Sequence, residues 1–196
     1  MKRKLVFATN NQHKVDEIKN IISNRLDLIS LKDLKFTEHI PEEHNSLEEN
    51  AAGKALFIFN KHKIDCFADD TGLEIEALDG EPGVYSARYA GDQCNFDDNI
   101  NKVLSKLKGI KNRKARFRTV ISLVENGCII NFEGSVYGKI LDEKRGIHGF
   151  GYDPIFLPDG YKLTFAEMTM GEKNKISHRA KAIEKLVEHI FNKNKI

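Results

Sequence analysis

Apolar positions recur along the chain in two rhythms, and their alternation predicts an α/β order. Leu5-Val6-Phe7-Ala8 is an unbroken apolar run of strand length. Val15, Ile18, Ile21 and Ile22 then fall at helical spacing, with Asp16, Glu17, Lys19 and Asn20 between them. Residues 27–31 read as a second short strand, and residues 46–63 as a helix whose apolar face carries Leu47, Ala51, Ala55, Leu56, Ile58 and Phe59. Cys66-Phe67-Ala68 opens a strand that ends at Asp69-Asp70, where Thr71-Gly72 reads as a turn before the alternating stretch 73–78. Residues 95–108 predict another helix, through Phe96, Ile100, Val103, Leu104 and Leu107. Two long β segments, 115–125 and 128–140, flank Asn126-Gly127, the strongest short-range hairpin signal. A last strand is expected at 154–157 and an amphipathic helix at 178–192. No repeat, low-complexity tract or linker interrupts this order. The pattern predicts one α/β domain over residues 1–196, with a mixed sheet because the hairpin is antiparallel.

Composition narrows the class. A chain of 196 residues, 40% hydrophobic and 31% charged, has what an ordinary globular core needs. A net charge of +2 argues for neither nucleic-acid nor membrane binding. The three cysteines, Cys66, Cys94 and Cys128, are widely spaced and form no C-x-x-C, so neither a disulfide framework nor a zinc site is expected. The basic start Met1-Lys2-Arg3-Lys4 is followed by an apolar run too short for a signal peptide, and no stretch approaches the roughly 20 apolar residues of a membrane helix. A cytoplasmic protein is expected.

Candidate chemistry lies at element ends. Phe7-Ala8-Thr9-Asn10-Asn11-Gln12-His13-Lys14 is a strand entering a polar turn that opens a helix, where free N–H groups and the helix dipole favour anions. Thr9 and Asn11 can donate to phosphate oxygens and Lys14 adds a charge. The competing reading makes Asn11 a helix cap and Lys14 solvated. Neither G-x-x-x-x-G-K-[ST] nor G-x-G-x-x-G is present. Asp69 and Asp70 at a strand end suit a hard divalent cation such as Mg2+, with one carboxylate acting as base toward a water; a solvated turn is the alternative. Glu42 or Glu43, after Pro41, can add a ligand. Phe150-Gly151-Tyr152-Asp153 sets aromatics among glycines as stacking surfaces for a flat base, or forms an aromatic turn. Lys173, Lys175, His178 and Arg179 crowd a helix start, where cations oppose the dipole, so an anionic or carbonyl-bearing ligand competes with a solvated basic face.

Taken together, Thr9-x-Asn11-x-x-Lys14, Ala68-Asp69-Asp70-Thr71-Gly72-Leu73, residues 82–89 (Pro82-Gly83-Val84-Tyr85-Ser86-Ala87-Arg88-Tyr89), Phe150-Gly151-Tyr152-Asp153-Pro154 and Ser177-His178-Arg179 resemble the inosine triphosphate pyrophosphatase family, its bacterial dITP/XTP pyrophosphatase branch above all. The motifs run in family order from residue 9 to residue 179. The resemblance implies an elongated mixed β-sheet flanked by helices, forming two lobes around a central substrate cleft. It also implies a cytoplasmic homodimer that uses Mg2+ to hydrolyse ITP, dITP and XTP to the monophosphate and pyrophosphate, with no nucleic-acid or membrane partner. Carried over by residue, Asp70 is the proton acceptor and a metal ligand with Glu42, Glu43 staying open, and Thr71 contacts substrate. Thr9, Asn10, Asn11, Gln12, His13, Lys14 and Lys173 hold it, chiefly by its phosphates. Phe150, Gly151, Tyr152 and Asp153 enclose the base with His178 and Arg179, whose donors would meet a C6 oxygen. Thr71 stands where serine is frequent and keeps the hydroxyl. A nucleic-acid binder, from the basic run Lys106, Lys108, Lys111, Arg113, Lys114, Arg116 and Arg118, and a non-catalytic nucleotide sensor are the competing functions.

Overall fold

The computed structural model describes residues 3–22 and 25–193; the basic Met1-Lys2 pair lies outside the described residues. In chain order the elements are β1 (Lys4–Phe7), α1 (Gln12–Ile22), β2 (Asp27–Ser30), α2 (Leu47–His62), β3 (Cys66–Ile75), β4 (Pro82–Gly83), α3 (Phe96–Lys106), β5 (Lys114–Glu125), β6 (Cys128–Ile140), β7 (Phe156–Pro158), α4 (Met170–Lys173) and α5 (His178–Lys193). They build an α/β fold on a seven-stranded sheet of order β2-β1-β3-β5-β6-β7, with β4 paired to β3. The sheet is mixed: β1 runs parallel to β2 and β3, whereas β4 is antiparallel to β3 and β7 to β6.

Local chemistry sets the element ends. Ser46 caps α2 by accepting from the Glu49 N–H, and Lys63 closes it in the left-handed region (φ 55°). Asn95 caps α3 in the same way, through the N–H groups of Asp97 and Asp98. Asn126 and Gly127 both take positive φ (50° and 79°), the condition for the tight turn that joins β5 to β6. The turn expected at Thr71-Gly72 does not form, and β3 continues through it. Gly72 serves a close approach instead: a Cβ there would lie 2.7 Å from the Gly83 carbonyl oxygen on β4. The strand expected at 154–157 starts later, because Asp153–Ile155 forms a 3-10 turn first.

The chain forms two compact units, Met1–Asp70 with Thr119–Gly134 and Arg179–Ile196, and Thr71–Arg118 with Ser135–His178. In the first unit the strands bury both faces. Leu5, Phe7 and Phe67 pack with Val15 and Ile18 of α1 and Ile183 and Leu186 of α5. Val6, Ala8, Cys66 and Ala68, the alternate positions, pack with Ala55 and Ile58 of α2. The second unit has its own core, in which Phe117, Phe156 and Phe165 meet Leu73, Ile100 and Val136. Here the basic run is largely spent on internal contacts. Arg113 donates to the carbonyls of Leu107, Ile140 and Leu141, and Arg116 and Arg118 reach Glu74 at 2.5 and 3.7 Å. No helix among the described residues is long and apolar enough to cross a membrane.

Candidate active site

The alternation that organises the first unit also separates its two aspartates. Asp69 shares the parity of Phe67 and faces α1 and α5, while Asp70 shares that of Ala68 and faces α2. The two carboxylates therefore meet different sets of partners. Asp69 accepts from Lys14 Nζ at 3.0 Å and from Arg179 Nε at 3.2 Å, and Arg179 also bonds Glu17 on α1. Burial alone would raise the Asp69 carboxyl, but Lys14, Arg179 and Lys54 outweigh it and hold it well below the usual carboxylate range.

Asp70 has a different set of partners. Its Oδ1 accepts from Lys54 Nζ at 3.0 Å and its Oδ2 from Asn50 Nδ2 at 3.3 Å. The same Lys54 ammonium donates to Glu42 Oε1 at 2.7 Å. Asn50 also ties down the acidic loop, donating to the His44 carbonyl and accepting from the His44 N–H. Glu42, rather than Glu43, thus shares a cation with Asp70. Burial is the largest influence on Asp70 and leaves its carboxyl raised, whereas Lys54 brings Glu42 below its ordinary value against the effect of burial. Lys54 remains protonated, since Asp70 and Glu42 outweigh its own burial.

Lys54 and Asn50 were missed by reading the sequence, although a signal exists. The buried stripe of α2 is Leu47, Asn50, Ala51, Lys54, Ala55 and Ile58, so a lysine and an amide occupy core positions of an amphipathic helix. Buried charges are paired or bound, and these are.

In the loop before α1, Thr9 Oγ1 accepts from the Asn11 N–H at 3.2 Å, and Asn11 Oδ1 accepts from the Lys14 N–H at 3.3 Å. Asn11 is thus a helix cap, as the plainer reading had it. Gln12 donates to Asp16 at 2.7 Å, and Asn10, Gln12 and His13 are exposed. Lys14 is not a solvated residue; its side chain is 14% exposed and turned onto Asp69. Its pKa lies below the ordinary lysine value, chiefly through burial, against the pull of Asp69.

A second set of residues belongs to the other unit. Asp153 Oδ2 accepts from the Phe150 N–H at 2.9 Å and from Lys173 Nζ at 2.6 Å. Gly149 makes room for that carboxylate, for a Cβ at this position would collide with it. The Lys173 ammonium also lies over the Phe150 and Phe165 rings, 5.2 and 5.4 Å from their centroids. The structure thus puts Lys173 with Asp153 and aromatic rings of the same unit. Half-buried Gly151 takes a positive φ of 61° between Phe150 and Tyr152. His178 is buried and stacked on Phe117, with centroids 4.7 Å apart. Thr71 follows Asp70 on β3 and is half-buried.

The Ham1 family model matches residues 5–189, a span that holds all of these residues. The chain belongs to the Ham1 family. It is 51% identical over 187 residues to a dITP/XTP pyrophosphatase of Christiangramia forsetii, covering 95% of this chain and 98% of that protein. It is 50% identical over 185 residues to a dITP/XTP pyrophosphatase of Flavobacterium johnsoniae, covering 94% and 96%. The Ham1 protein of Staphylococcus aureus superposes with a TM-score of 0.88 at 38% identity, covering 97% of this chain and 100% of that one.

In this Ham1-family chain two of the residues expected to enclose the base are buried. Tyr152 is 4% exposed, and its hydroxyl donates to the Ser86 carbonyl at 2.8 Å. Arg179 keeps its guanidinium inside the first unit. It is 1% exposed and committed to Asp69 and Glu17, which also explains why a cation is tolerated in the first turn of α5.

Proposed function

We propose that the chain hydrolyses non-standard purine nucleoside triphosphates, ITP, dITP and XTP, to the monophosphate and pyrophosphate, acting as a single domain in a cytoplasmic homodimer. The observation that carries this reading is the Asp70–Lys54–Glu42 arrangement in a chain matched to a family of that activity over residues 5–189.

Asp70 is the base. Its raised carboxyl has more proton affinity than an exposed one, as a base toward water requires. The water oxygen bonds to the α-phosphorus, its proton passes to Asp70, and the bond to the bridging oxygen breaks, so that pyrophosphate leaves with the electron pair. Lys54 holds Asp70 and Glu42 in place, and Lys14 brings a second ammonium to the phosphate-binding loop of Thr9 to Lys14. Arg179 is assigned a positioning role through Asp69.

A divalent cation fits the donor set. Glu42 and Asp70 are two carboxylates already gathered round one positive charge, and among the described residues there is no cluster of three or more acidic, histidine or cysteine ligands. That suits Mg2+, which binds through one or two carboxylates and completes its shell with substrate phosphates and water. Bound there, it would neutralise phosphate charge as the leaving group departs.

Base selection is assigned to the Asp153–Lys173 pair, beside Phe150, Gly151 and His178. An acceptor next to a donor matches hypoxanthine and xanthine, which present N1–H beside a C6 oxygen. Adenine presents the reverse, an N1 acceptor beside an amino group, and leaves polar groups unmatched at a cost of about 1–3 kcal/mol each. Phosphorus NMR of an ITP digest in 18O-water tests the reaction. Pyrophosphate and 18O-labelled IMP are expected; IDP with orthophosphate would refute the proposal.

A further inference from the structure

The first unit holds a cavity of about 240 Å3 with Val15 and Phe36 as its apolar wall and Thr9, Asn10, Gln12, Lys32, Lys35 and Thr37 as its polar lining, with Ser30 at its buried edge. Among the described residues no carboxylate lines it. Asp33, between the two lysines in sequence, has its Oδ2 on the Ser30 N–H at 2.8 Å and the Ser30 hydroxyl at 2.7 Å. The polar lining residues therefore bring two ammonium groups, hydroxyls and two amides, a donor set suited to an anion. Its volume is below the roughly 300–1,000 Å3 of a drug-sized ligand site, so it suits a compact group rather than a whole nucleotide.

The backbone turn after β2 places both lysines. The turn after β2 closes with Leu34 N–H to the Ser30 carbonyl, Lys35 N–H to that of Lys32 and Phe36 N–H to that of Leu31. Lys35 ends it in the left-handed region, φ 54°, where glycine is the ordinary occupant. Lys35 closes the turn in this way at the rim of the cavity. Thr9 and Asn10 belong to both the cavity and the loop whose Lys14 reaches Asp69, so the cavity adjoins the phosphate-binding loop.

We propose that this cavity is a diphosphate seat, in which Lys32 and Lys35 bind the pyrophosphate group that hydrolysis releases. The proposal rests on the triphosphate reading above. The group has two sources: free pyrophosphate, or the β,γ end of the bound substrate.

Calorimetric titration of the full chain with inorganic pyrophosphate and Mg2+ tests the seat without turnover. Lys32→Ala and Lys35→Gly are each expected to weaken pyrophosphate binding about 10-fold or more, as loss of a charge-assisted contact does. IMP affinity should stay unchanged. Lys35→Gly should leave Tm unchanged or raise it, because the glycine relieves the left-handed strain. ITP kinetics assign the source: a raised KM with a raised pyrophosphate inhibition constant places the substrate's diphosphate end in the seat, and a raised inhibition constant alone places the product there. Pyrophosphate affinity unchanged in the double variant overturns the proposal, even where ITP is hydrolysed normally. A chain that binds pyrophosphate through both lysines but leaves ITP intact would instead overturn the triphosphate reading and leave the anion seat standing.

Discussion

An Asp70→Asn substitution keeps the outline of the side chain while removing the base and a ligand charge, and kcat on ITP is expected to fall by at least about 10²-fold. Stability should move the other way. Burial holds the Asp70 carboxyl above its ordinary range, so the ionised form opposes folding once pH rises through that raised value. Because Lys54 keeps Glu42 as its charged partner and the asparagine can still accept from it, the metal-free variant should melt no lower than the wild type near neutral pH. Scanning calorimetry with a chelator checks this, and a lower Tm would make Asp70 a structural residue. Arg179 predicts the opposite signature. Arg179→Ala leaves Asp69 and Glu17 buried with a partner missing, which costs about 3–5 kcal/mol. For a chain of this length that lowers Tm by about 6–20 °C. Because its donors lie on carboxylates, activity on ITP and on ATP should fall by the same factor; a loss confined to ITP would return Arg179 to the base pocket.

At β3 the chain pattern was informative up to Asp70 and misleading one residue later. Thr71-Gly72 has the composition of a turn, yet the glycine is there because β4 crosses it, and a strand of Pro82-Gly83 is too short to announce itself by periodicity. Gly72→Ala should therefore displace the β3–β4 pairing and destabilise by about 1–3 kcal/mol, the cost of overpacking, read as a loss of Tm. The Asn126-Gly127 hairpin and the caps at Ser46 and Asn95 were legible because their signals are local and act through the backbone itself. The site was legible where it coincides with a motif, at Thr9 to Lys14 and Asp69-Asp70. It was hidden where its members come from a helix interior: Lys54 and Asn50 look like polar residues on the margin of an apolar stripe until the strand beneath supplies Asp70. The unlike roles of the two aspartates, and the burial of Tyr152 and Arg179, depend on which layer packs against each face, and residue order alone does not carry that information.

Folding and metal binding are expected to be linked through ligands. Two carboxylates make an incomplete cage, so Mg2+ alone should shift Tm little, whereas Mg2+ with a slowly hydrolysed triphosphate should raise it. At about 100 times Kd the gain is about 2.7 kcal/mol, or ~5–10 °C for a chain of this size. Glu42→Gln should reduce the metal-dependent part of that shift, as differential scanning fluorimetry would show. The deciding test is pyrophosphate release from ITP, XTP, GTP and ATP, each with and without Mg2+. ITP and XTP turned over well above ATP, with all activity lost on chelation, is the result predicted from Asp70, Lys54 and Glu42 acting on a triphosphate whose base is read by Asp153 and Lys173. Equal rates on ATP and ITP, or release undiminished by chelation, would contradict it.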